Sequence, residues 1–405
     1  MDDQKSEMLT LFGWVSAIII IAVVMLYPYS NYQFTSLGIS DGVNLYACKY
    51  MEPAPMGLVD YGVSSYGNVY NISTHSIESS INLDNFVTNF SNNYNASIQL
   101  NLNIMLDYGN KTQAYFVQNV ILMDTNTRQI NFIDNIWNDS SINASLNGNL
   151  IKGNGTVSPS NKNNTYYFYQ AENQTGDNIV LKNNQTVYLK TNSSISKEGN
   201  PEIIFSYNDG YGWKEYDNVK LLISKNIKNY SIMISGFNYT PSYNFYDAGI
   251  VIGGPGDGYN TTLIKGSAAL TLSYWNGNNF QNVQDAYNFG CDTEEGINNA
   301  VVNPNFYSNG LLYANISSGK NAYLGNLWSI NSSNVGVLYV NSSIKEMVIS
   351  FDKNGHTVND SLENGTGRFT LESGIYLIKA YKNGSVIYSK NYTLPQEKVS
   401  VISIK

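Results

Sequence analysis

A chain of 405 residues with 31 acidic against 23 basic side chains, for a net charge of −8, lacks the basic stripe on which nucleic-acid binding depends. Charged residues make up only 13% of it, about half the usual quarter, so Asn, Ser, Thr and 33 Tyr must supply the polar surface. Cys48, Cys291, His75 and His356 are the only residues of their types, which allows one disulfide, excludes a cysteine-rich metal site and leaves no cofactor expected. A surface so poor in charge changes little as its carboxylates protonate, and acid need not unfold it.

From the N-terminus, residues 8–26 read MLTLFGWVSAIIIIAVVML, an apolar run long enough to cross a bilayer as one helix. Bulky Tyr27-Pro28-Tyr29-Ser30 follows it in place of a small-residue cleavage site. Residues 1–30 are therefore read as a single-pass membrane anchor, the protein being secreted if that segment is cut away. About twenty Asn-x-Ser/Thr sequons all lie beyond the anchor and place the tail outside the cell, with Asn71, Asn95, Asn110, Asn154, Asn184, Asn238, Asn315 and Asn391 as candidates for N-linked glycans.

Beyond the anchor the periodicity is that of strands. Ser97-Ile-Gln-Leu-Asn-Leu-Asn-Ile alternates polar and apolar, as do residues 115–123 and 336–341, and Asn/Gly clusters break the runs every ten residues or so. The pattern predicts an all-β fold. Residues 31–343 exceed one comfortable core and are expected to form two packed β-sandwich lobes dividing near 200. Residues 344–405, with Asn354-Gly355 and Asn383-Gly384 at hairpin turns, read as a small immunoglobulin-like or PEGA-like β-domain, a type used for spacing or adhesion.

Several chemistries drop out. Gly253-Gly-Pro-Gly-Asp-Gly258 lacks the Lys-Ser/Thr of a phosphate loop and reads as a tight turn, and no Gly-x-Ser-x-Gly elbow is present. Trp137, Trp213 and Trp275 could stack on sugars, but packing is the first role of each. What remains are carboxylates among aromatic and apolar neighbours: Asp134 in Phe-Ile-Asp-Asn-Ile-Trp-Asn, Asp247 in Asn-Phe-Tyr-Asp-Ala, and Asp292 and Glu295 in Phe-Gly-Cys-Asp-Thr-Glu-Glu. Two such carboxyls together can share one proton, one activating water while the other polarises a peptide carbonyl.

These segments, with Pro53-Ala-Pro-Met-Gly57, Tyr61-Gly62, Tyr115-Phe-Val-Gln118-Asn-Val, Gly153-Asn-Gly155 and the glycine turn at 253–258, resemble in order the motifs of the thermopsin family, archaeal acid proteases of hot acidic habitats. The resemblance implies an endopeptidase exported into acid, without metal or nucleotide. It does not carry over the catalytic residues, so chemistry supplies two options. One is a dyad of Asp134 with Asp292, followed by Glu295 and Asp247 as further acidic candidates. The other is Glu295 as base with Gln118 as oxyanion donor. Cys291 lies inside one motif, and a bridge to Cys48 would pin the N-terminal strand beside the site. Gly249 departs from the family pattern, where a Glu is common. The expectation is thus a membrane-anchored, glycosylated acid endopeptidase cutting polypeptide substrates between apolar residues. The alternative is an inactive relative, a cell-surface structural or adhesion protein with surface-layer neighbours.

Overall fold

The computed structural model describes residues 55–62, 70–89, 94–108, 111–141, 143–159, 165–171, 179–223, 227–242, 245–283, 286–289, 295–306, 312–319, 335–344, 347–362, 366–372, 374–395 and 399–405. Residues 8–26, Cys48, Asn110, Cys291 and Asp292 lie outside them, and among the described residues no helix is long and apolar enough to cross a membrane.

The fold is nearly all β. A 12-stranded sheet runs in the order Tyr287–Phe289, Met56–Asp60, Ala248–Gly253, Ala96–Tyr108, Lys111–Asp124, Gln129–Asn138, Thr165–Gln170 and Thr156–Pro159, with Ile227–Tyr239 and shorter strands branching from it. A 10-stranded sheet is built around Leu312–Ser318, Thr261–Trp275, Ser76–Asn89, Thr186–Ile195, Pro201–Asn208 and Trp213–Leu221. Both sheets draw strands from either side of residue 200, and one hydrophobic core fills the space between them. The expected division into two lobes near 200 is thereby replaced by two sheets of one sandwich. Antiparallel pairing of Ser76–Asn89 with Thr261–Trp275 joins distant segments, so no cut there could leave two complete cores.

Side-chain alternation explains how the sheets meet. On Ala96–Tyr108 the residues Ala96, Ile98, Leu100, Leu102, Ile104 and Leu106 are fully buried in the shared core. The intervening Ser97, Gln99, Asn101 and Asn103 must then point to the opposite, outer face, because successive side chains of a strand alternate. Neighbouring strands keep this register: Val117 and Ile121 point inward beside Leu102 and Ile98, so Gln118 shares the outer face with Asn101.

The C-terminal residues form two smaller sheets. One holds Val335–Ser342 between Thr366–Glu372 and Val399–Ile404; the other orders His356–Leu362, Met347–Lys353, Gly374–Lys382 and Ser385–Leu394. Leu338, Val340, Ile349, Phe351 and Ile378 belong to a core of their own. The unit thus begins at the strand opening with Val335 rather than at 344. Asn354-Gly355 and Asn383-Gly384 both take positive φ at each residue, the backbone that two-residue hairpins with right-handed strand twist demand.

Candidate active site

The outer face of the 12-stranded sheet carries a chain of oriented amides. Asn135 Nδ2 donates to Gln118 Oε1 at 3.3 Å, and Gln118 Nε2 donates to Gln99 Oε1 at 2.9 Å. Gln99 Nε2 donates in turn to Ser97 Oγ at 3.0 Å and to Glu295 Oε2 at 3.3 Å. Ser97 Oγ donates to the carbonyl of Gly254 at 2.6 Å, which leaves it an acceptor toward Gln99. Each carboxamide is held with its oxygen and nitrogen assigned by its neighbours. Gln99 and Gln118 are buried, while Asn135 and Glu295 are only half-buried and mark where the network meets solvent.

Glu295 is delivered by the glycine turn. Gly258 N–H donates to Glu295 Oε1 at 3.3 Å, and the 295 backbone passes so close to Gly253 that a Cβ there would lie 2.0 Å from the Glu295 carbonyl oxygen. The turn read as ordinary punctuation in the sequence is therefore the support of the site's carboxylate. Beside the amides, on the same outer face, Phe116, Trp137 and Tyr166 stand in register across three strands, with ring centroids 5.6 Å apart for the first pair and 5.3 Å for the stacked second. Trp137 is neither deep core nor isolated; it forms part of an aromatic wall one row from Gln118.

Asp134 stands on the other side of the sheet. It alternates with the core residues Phe132 and Ile136, is 0% exposed, and neither carboxyl oxygen has a hydrogen-bond partner. Burial raises its pKa well above the usual range, and the like charge of Asp217 adds to this. Asp217, from the opposite sheet, is itself raised by burial, although Tyr167 Oη donates to it at 2.5 Å and the Asn154 and Asn218 N–H groups do so at 2.9 and 2.8 Å. Tyr216, between them, donates to Asn119 Oδ1 and to the Ile133 carbonyl. A polypeptide cannot reach this interior group. The structure thus brings Gln118 and Glu295 together through Gln99, and leaves Asp134 on the far face from them; Asp292, its expected partner, is outside the described residues. Asp247 is buried and accepts a hydrogen bond from Asn103 Nδ2 at 2.8 Å at the end of the amide row.

Among the described residues no group of three or more His, Cys, Asp or Glu could hold a metal ion. Of the candidate glycan acceptors, Asn71, Asn184, Asn238 and Asn391 are exposed and Asn315 is half-buried. Asn154 is exposed, but its Nδ2 donates to the Tyr216 carbonyl. Asn95 is a correction: it is buried, with Oδ1 accepting from the Thr125 N–H at 2.8 Å and from Thr88 Oγ1 at 3.2 Å, so the folded chain offers no room for a sugar there.

Sequence reading had missed Gln99, whose only signal was a polar residue on the outward parity of a buried strand. The class these features define is an all-β sandwich carrying a half-buried glutamate linked by hydrogen bonds to two buried glutamines on the outer face of one sheet. The profile of the thermopsin family matches residues 41–300, and the chain is 30% identical over 294 residues to thermopsin of Sulfolobus acidocaldarius, covering 70% of this chain and 86% of that protein. The chain belongs to the thermopsin family. A crystal structure of Scytalido-glutamic peptidase with a peptide-based transition state analog aligns at 7% identity and a TM-score of 0.28, over 66% of this chain and 98% of that one.

Proposed function

We propose that the chain is an endopeptidase of the thermopsin type that works in acid on polypeptides, displayed outside the cell on its N-terminal anchor and carrying N-linked glycans. The observation that carries the catalytic reading is the fixed chain Glu295, Gln99, Gln118 on the outer face of the sheet, buried at the glutamines and half-exposed to solvent at Glu295. Glu295 takes a proton from water, whose oxygen bonds to the scissile carbonyl carbon. The carbonyl oxygen becomes an oxyanion, met by the second N–H of Gln118 Nε2, whose first is committed to Gln99. The proton held by Glu295 then passes to the amide nitrogen, the C–N bond breaks, and the amine leaves. Phe116, Trp137 and Tyr166 supply apolar contact for substrate side chains beside the scissile bond. Family membership supports the peptidase reading, and exposed Asn71, Asn184, Asn238 and Asn391 support the glycosylated exterior.

The purified full chain should cleave a denatured protein between pH ~2 and ~5, the range over which ordinary carboxyl groups titrate. Gln118→Ala should lower kcat by about a hundredfold or more, as removal of an oxyanion donor does. Glu295→Gln should lower it at least as far. Absence of cleavage throughout that range would favour the inactive surface protein, and full activity in Glu295→Gln would remove this base assignment.

A further inference from the structure

Consecutive residues of a strand point to opposite faces, so the side chain directly behind Gln118 is Asn119, fully buried on the inward row of Val117 and Ile121. A carboxamide in an apolar core has to find partners, and here they come from the opposite sheet. Asn119 Nδ2 donates to the Lys190 carbonyl at 3.1 Å and to the Ser206 carbonyl at 3.3 Å, two residues that face each other in register on neighbouring strands. Its Oδ1 accepts from Tyr216 Oη at 2.9 Å. The same hydroxyl lies 3.0 Å from the Ile133 carbonyl, so its one proton is shared between the two strands that carry Gln118 and Asn135.

Tyr216 reaches this point through a β-bulge. Phe205 pairs with Asp217 and Ser206 with Glu215, which makes Tyr216 the extra residue and turns both it and Asp217 inward. The Gly153-Asn-Gly155 motif, for which catalysis has no use, holds the bulge in place: Asn154 Nδ2 donates to the Tyr216 carbonyl at 3.0 Å, and its N–H donates to Asp217 Oδ1 at 2.9 Å. Gly155 permits the approach, since a Cβ there would lie 2.2 Å from the Phe168 carbonyl.

We propose that Asn119 and Tyr216 are positioning residues that fix Gln118 from behind its sheet, by tying the strands of Gln118 and Asn135 across the core to the opposite layer. This rests on the reading of Gln118 as the oxyanion donor. Neither residue touches substrate. Apolar packing is non-directional and leaves a strand some freedom to shift, whereas directed hydrogen bonds at the residue next to Gln118 do not. A preorganised donor needs that restraint, because its effect depends on lying at hydrogen-bond distance from the oxyanion.

A double-mutant cycle on the full chain tests this, with kcat and KM measured on one denatured substrate for wild type, Tyr216→Phe, Gln118→Ala and the two combined. Tyr216→Phe keeps the ring and removes only the hydroxyl. It should lower kcat about tenfold through misplacement of the donor, with KM within about twofold. In the Gln118→Ala background the same change should lower kcat by less than about twofold, since no donor is left to misplace. The paired variant Asn119→Leu with Tyr216→Phe separates positioning from stability. Replacing both partners by apolar groups costs the fold little, so its melting temperature should lie above that of Tyr216→Phe while kcat stays about tenfold down. Equal loss from Tyr216→Phe in both backgrounds, or recovery of kcat along with melting temperature in the paired variant, overturns the inference and leaves the oxyanion reading standing. Full kcat in Gln118→Ala alone removes the oxyanion reading, and this inference with it.

Discussion

At the scale of single residues the decisive contrast is between Asp134 and Glu295, both acidic and both within family motifs. Asp134 is surrounded by Asp217, Tyr216, Tyr167 and Tyr169, and burial followed by the Asp217 charge raises its pKa. A carboxyl that binds its proton more tightly in the folded state contributes stability that is complete below the unfolded pKa, near 4, and declines as pH rises through the folded value. Asp217 shifts in the same direction, so the interior pair favours the fold in acid. Asp134→Asn removes one titration while keeping the shape. Its melting temperature should fall less between pH 4 and pH 7 than that of the wild type, by about 2 °C or more, and its proteolysis at acid pH should stay within about threefold. A hundredfold loss of kcat with an unchanged pH-stability curve would return Asp134 to the catalytic role first expected of it. The inward position was legible in principle, since Asp134 shares the parity of Phe132 and Ile136; aromatic neighbours drew attention to chemistry and away from that parity. Gln99 was hidden for the opposite reason, because Asn and Gln are so common here that one more polar residue on a strand carries no signal.

At the scale of elements, strand alternation was readable and strand partnership was not. The alternation from Ser97 onward foretold an inner and an outer face, but nothing local states that Ala96–Tyr108 lies between Ala248–Gly253 and Lys111–Asp124, and only that order puts Asn101 between Gly249 and Gln118. The glycine turn shows the same limit: its composition announced a tight turn, while its purpose depends on a backbone some forty residues later. Gly253→Ala tests that purpose. The added Cβ meets the backbone carbonyl of Glu295, not a flexible side chain that could swing aside, so the 295 segment must shift. A displacement of about 1 Å at a reacting group can cost about a hundredfold in rate. Gly253→Ala should therefore lower kcat by tenfold or more with a smaller change in KM, measured on the same denatured substrate; an unchanged kcat would separate the turn from the carboxylate.

At the scale of the molecule, the sequence reads correctly as all-β with a distinct C-terminal unit, and fails where long-range pairing decides the layers. Composition could suggest that 31–343 was too long for one core, yet broad sheets of 12 and 10 strands enclose it in a single one. The C-terminal boundary was misplaced for a related reason. Val335–Ser342 pairs antiparallel with Thr366–Glu372 and parallel with Val399–Ile404, and the parallel partner comes from the far end of the chain, so local pattern could not assign it. That strand is the middle of its sheet and supplies Leu338 and Val340 to the core. A fragment of residues 335–405 keeps every strand of both small sheets, and about seventy residues with their own core suffice for independent folding. A fragment of residues 344–405 loses the central strand, leaves the two outer ones without a shared partner, and opens the core at two fully apolar positions. The longer fragment should unfold cooperatively on heating, followed by circular dichroism, and the shorter should show no cooperative transition. Equal transitions in both would mean that Val335–Ser342 only decorates the unit and that its fold is closed by residues 344–405 alone.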